Sequence, residues 1–82
     1  MSINNLNQIV AARVRAVMAA QKLTTAAVAE SLGISRYALS SRLSGRVDFS
    51  LTDIDRFANL AGYDPSSFTS AQFCLLPIGK AA

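Results

Sequence analysis

The densest group of side chains able to do chemistry lies between Arg36 and Arg46. Arg36, Tyr37, Ser40, Ser41, Arg42, Ser44 and Arg46 fall within eleven residues, with no acidic residue among them. Guanidinium forks, a phenol and short hydroxyls recognise by charge and hydrogen bonding; they do not by themselves break bonds. The chain has no histidine and one cysteine, Cys74. It therefore lacks the commonest general base and the commonest metal ligand. No nucleophile–base pair, phosphate loop or metal-ligand cluster stands out, so neither an enzyme nor a metal or cofactor site is expected. No basic residue lies within five positions of Cys74, which reads as a packed hydrophobe and not as a reactive thiol.

Such a group needs a scaffold. On a helical wheel at about 100° per residue, Leu39 and Leu43 mark the buried side of a helix over Arg36–Ser44. Tyr37, Ser41 and Ser44 fall roughly opposite, Arg36 and Ser40 on one flank, Arg42 on the other. Ser35 caps this helix and Gly45 stops it. Before it, Thr24 caps a helix over Thr25–Leu32, and Gly33 supplies a sharp reversal that needs positive φ. Both helices are too short to hold alone in water and must be fixed by packing. Leu6, Val10, Val14, Val17 and Met18 recur at helical spacing and predict a first helix from Asn5 to Gln21. Ser50 and Asp53 have capping-box spacing before a helix that carries Leu51, Ile54, Phe57, Ala58 and Leu60 toward the core and ends at Gly62. Asp64-Pro65 opens a last short helix. Tyr63 and Phe68 are expected in or near the core. The segment "FCLLPIGKAA" has no helical period and is read as an extended tail.

The whole chain sets the limits. Its 82 residues make one domain, and 51% hydrophobic content is enough for a core without staples. A single thiol fits a reducing compartment. The longest apolar run, Phe73–Ile78, is too short to span a bilayer, so no membrane association is expected. "IVAARVRAVMAA" has the composition of a transit segment but is better used as a structural helix. Net charge is +3, and six of the eight basic residues are arginine. A mildly basic soluble protein and an anion-binding one are both compatible with that charge.

The stretch "LTTAAVAESLGISRYALSSRLSG" resembles the helix-turn-helix of the phage repressor and Cro (lambda repressor-like) family. The Ala29…Gly33 spacing, the apolar positions Val28, Leu32, Ile34 and Leu39, and the Ser35-Arg36 start of the second helix carry the likeness. "LTDIDRFANLAGYDP" resembles the fourth helix of that family, so the likeness runs from Ile9 to Phe68. Arg42 departs: the family often places an apolar residue there, and Leu43 takes the core role one place later.

The resemblance implies an all-α fold, a compact bundle of four to five short helices whose second and third form a helix-turn-helix. Residues 1–70 would be the DNA-binding domain, and 71–82 an apolar tail packed on the core or used to form a homodimer. It implies a sequence-specific regulator of transcription that binds double-stranded DNA, a phage or prophage repressor or a Cro-like protein, with the helix at 36–44 in the major groove. Arg36, Tyr37, Ser40 and Ser41 would contact bases. Thr25, Ser35, Arg42, Ser44 and Arg46 would contact phosphates. The compartment implied is the cytoplasm of a bacterial cell or phage-infected host, near the nucleoid. An antitoxin-type or protein-interaction module that keeps the fold without sequence-specific DNA binding is the alternative.

Overall fold

The computed structural model describes residues 6–70. Four α-helices and a 3₁₀ turn follow in order: α1 (Leu6–Gln21), α2 (Thr25–Leu32), α3 (Arg36–Leu43), α4 (Leu51–Ala61) and the 3₁₀ helix Pro65–Phe68. There is no strand among the described residues, and the chain is all-α as expected. The core is one cluster. Val10, Val14 and Val17 of α1, Val28 and Leu32 of α2, Leu39 of α3 and Phe57 of α4 meet there, closed by Tyr63 and Phe68. Phe68 packs edge-on against Phe57 at 5.6 Å between ring centroids and tilted against Tyr63 at 5.4 Å. The last turn thus seals the bundle with aromatic surface that would be costly to leave in water.

The helix starts follow the sequence closely. Thr24, Ser35 and Ser50 each take an extended backbone and accept a hydrogen bond from an N–H three residues on. Ser50 and Asp53 form a reciprocal capping box, with aspartate serving where glutamate or glutamine is usual. Asp64 caps the 3₁₀ helix, and Pro65 supplies its first residue.

The helix ends share a device that periodicity does not reveal. After α1, α2 and α3, the chain turns through one left-handed residue, and the next residue's N–H returns to a carbonyl of the last turn: Leu23 to Met18, Ile34 to Ala29, Arg46 to Ser41. Tyr63 returns to Ala58 after α4 in the same way. Glycine takes the left-handed position at Gly33, Gly45 and Gly62, but at the end of α1 it is Lys22, with φ 57°. At Gly33 a side chain would meet a second obstacle, because a Cβ there would stand 3.2 Å from the Arg56 guanidinium.

Three apolar residues expected inside lie outside. Leu6 is 52% exposed, Leu51 83% and Leu60 40%. Leu6 and Leu51 occupy the first positions of their helices, where no preceding turn covers them. Leu60 lies on the flank of α4 beyond the buried stripe of Ile54, Phe57, Ala58 and Ala61. The last helix is shorter than expected and of 3₁₀ type, ending at Phe68. The tail over 71–82 lies outside the described residues.

Candidate nucleic-acid interface

α3 is pinned by Leu39, which is fully buried, and by α2 and α1, whose backbones approach it. Its outward side begins with Arg36 and Tyr37, in the first turn, and continues to Ser40. Tyr37 is 73% exposed. Arg36 is exposed and makes no side-chain hydrogen bond or ion pair among the described residues. The first N–H groups of a helix have no intrahelical partner, so this end carries partial positive charge beside the Arg36 cation. Thr25, Ser35 and Arg46 are exposed as expected. Ser35 Oγ accepts from the Ala38 N–H at 3.0 Å, which leaves its own hydroxyl proton available for an acceptor such as phosphate.

Three expected contact residues are placed differently. Ser41 was expected on the outward face, yet it is 6% exposed. The chain after α3 is the reason. Arg46 and Val47 both donate their N–H groups to the Ser41 carbonyl, at 3.0 and 3.2 Å, and the Arg46 guanidinium comes to 3.4 Å from Ser41 Oγ. The returning loop covers the last turn, which a wheel of the helix alone cannot show. A base contact from Ser41 does not fit this burial. Ser44 is exposed, but its hydroxyl donates to the Ser41 carbonyl at 3.0 Å and its N–H to the Ser40 carbonyl at 3.0 Å. In this arrangement it has no proton left for a phosphate.

Arg42 is the third. Its Nε donates to Asp53 Oδ2 at 2.9 Å, and its Nη1 donates to the carbonyl of Ala38 at 3.0 Å. The side chain is tied across to α4 and not extended toward solvent. Leu43 is only half-buried, packed at the edge of the core. The wheel predicted neither tie. The signal was nevertheless present: a cation at a position where an apolar residue belongs needs a partner, and an acid at a helix start is one.

The other arginines are also spoken for. Arg13 donates to the carbonyls of Ser67 at 3.2 Å and Ser70 at 2.6 Å. Arg15 donates to the carbonyl of Leu43, at the end of α3. Arg56 donates to the carbonyl of Leu32 at 3.1 Å, at the end of α2. These guanidinium groups sit at the negative ends of helices, where cations are favoured. Arg15 and Arg56 stay exposed despite these ties, and among the described residues Arg36, Arg46 and Lys22 are the exposed cations whose side chains hold no carbonyl or carboxylate. No group of acids and thiols among the described residues could hold a metal ion, and no helix is long and apolar enough to cross a membrane.

A capped helix, a reversal through Gly33 and a second capped helix, backed by α1 and α4, define a helix-turn-helix. Comparison with known families agrees: the model of a helix-turn-helix domain family matches residues 9–68, and the chain belongs to that family. No curated protein and no solved structure matches the chain significantly.

Proposed function

We propose that this protein is a sequence-specific regulator that binds double-stranded DNA with α3 in the major groove. One observation carries the reading most: the first turn of α3 presents Arg36 and Tyr37 to solvent with no partner of their own, on a helix whose remaining cation is tied inward. Helix-turn-helix proteins contact base edges from the N-terminal residues of the second helix. In this reading Arg36, Tyr37 and Ser40 meet bases, and Thr25, Ser35 and Arg46 frame the phosphates. The sequence resemblance favours a phage or prophage repressor or a Cro-like protein within this class. A homodimer using residues 71–82 is the form that would place two copies of α3 on two half-sites.

Selection of duplexes from a random pool tests the reading. An enriched motif supports it, and two-fold symmetry in that motif supports the homodimer. Arg36→Ala should then weaken binding to the selected site by about tenfold or more, since a bidentate guanine contact is worth about 1–3 kcal/mol. Unchanged affinity, in a variant with unchanged circular dichroism, would remove Arg36 from the interface. If the pool yields no motif and no retention at low salt, the alternative of a protein-interaction module with this fold takes over.

A further inference from the structure

No Cα atom of α3 comes within 8 Å of any Cα atom of α4. Beyond the core they share, the two helices are joined by a polar link between one pair of side chains. Arg42 Nε and Asp53 Oδ2 meet at 2.9 Å, with side-chain exposures of 21% and 8%. Each end is fixed to its own helix. Arg42 Nη1 holds the Ala38 carbonyl one turn back in α3. Asp53 Oδ2 also accepts from the Ser50 N–H at 3.1 Å, and the Asp53 N–H donates to Ser50 Oγ at 3.0 Å.

We infer that Arg42 and Asp53 form a strut that sets the position of α3 against α4, making both of them positioning residues for DNA recognition and neither a DNA contact. The inference rests on the DNA-binding reading for its functional consequence, but the strut itself is a property of the free protein. The physical case is geometric. An apolar contact between α3 and α4 would tolerate sliding, whereas a charge-assisted hydrogen bond anchored at both ends fixes distance and direction. A half-buried ion pair adds little net stability, so its use is better sought in holding one arrangement. Arg36 lies six residues before Arg42 on the same two-turn helix, so a tilt at Arg42 is felt at the exposed first turn.

The sign of one experiment separates the strut from its rivals. Removing an acidic group from a DNA-binding protein ordinarily strengthens binding, by lowering repulsion with phosphate. Asp53→Asn, which keeps an acceptor for the Ser50 N–H, should instead weaken binding to the selected duplex by about tenfold. Arg42→Met should weaken it similarly, and the double variant no further. Binding to unrelated duplex, and the salt slope of binding, should stay as in wild type for all three. Asp53→Glu provides a second test, because it preserves charge and suits a capping box while lengthening the link by one methylene. It should fold at least as well as wild type and still lose discrimination between selected and unrelated duplex.

Stronger binding by Asp53→Asn would overturn the strut. So would a salt slope reduced by about one unit in Arg42→Met, the mark of a lost phosphate contact. Thermal melts of wild type, Arg42→Met, Asp53→Asn and their double variant test the strut without DNA. Non-additive effects of Arg42→Met and Asp53→Asn support it, and strictly additive ones overturn it even if wild type binds no duplex.

Discussion

Arg36 and Arg42 share one short helix, and only Arg36 reaches solvent free of partners among the described residues. The difference is made by what each can find nearby. Arg42 has Asp53 within reach, while Arg36, in the first turn, forms no ion pair among the described residues. A residue with the opposite problem is Lys22. It occupies the left-handed position that glycine takes at the other helix ends. That conformation crowds a Cβ against the following carbonyl, at about 1–2 kcal/mol, partly offset by the greater chain entropy that glycine loses on folding. Lys22→Gly should therefore stabilise the domain by about 0.5–1 kcal/mol. Thermal melting should rise by roughly 2–8 °C for a domain of this size. An unchanged or lower melting temperature would mean that the lysine side chain contributes a contact of its own.

The short elements are held at their ends as much as along their faces. Asp64 illustrates this for the 3₁₀ helix: its carboxylate accepts from the Ser66 N–H and the Ser66 hydroxyl, both at 3.0 Å. Those bonds, the backbone one first, hold its pKa below the usual aspartate value of 3.8. Because the folded-state pKa is depressed, its stabilisation is present above about pH 4 and is lost as pH falls through the lower folded value. Wild type should lose stability on acidification below pH 4 more steeply than Asp64→Ala does, when thermal melts are compared between about pH 5 and pH 2. Parallel curves would show that the cap does not couple to folding. Caps of this kind were legible in the sequence. Thr24, Ser35, Ser50, Asp64 and the turn glycines gave the helix limits to within a residue or two. The inner faces of α1 and α4 were legible from their period, apart from Leu6, Leu51 and Leu60. The burial of Ser41 was not, because it is caused by a loop folding back, and neither was the Arg42–Asp53 link, because periodicity carries no information about partners across a gap.

At the scale of the molecule, charge is spent differently from what the composition suggests. Eight basic residues against five acidic ones read as a generally basic surface. In the fold, Arg13, Arg15 and Arg56 hold carbonyls and Arg42 holds a carboxylate. The electrostatic footprint on DNA is then narrow. With two or three phosphate neutralisations per copy, the slope of log affinity against log salt should be about −2 to −3, since each contact contributes about −0.9. Recruitment of all eight basic side chains would give a slope near −7 on the same basis. A steep slope measured on the selected duplex would show that the inward ties open on binding.

The grip of Arg13 on the carbonyls of Ser67 and Ser70 has a consequence for reach. It fixes where the chain leaves the described domain, beside α1. The apolar stretch that follows ends at Ile78, eight residues beyond Ser70. Eight residues cover at most about 29 Å when fully extended. Any surface that this stretch could reach must therefore lie inside a sphere of about that radius around Ser70. Two half-sites one duplex turn apart are separated by about 34–36 Å. A second copy engaged through this stretch would have to bring its own surface within about 29 Å of the first copy's Ser70, closer than the separation of the two half-sites.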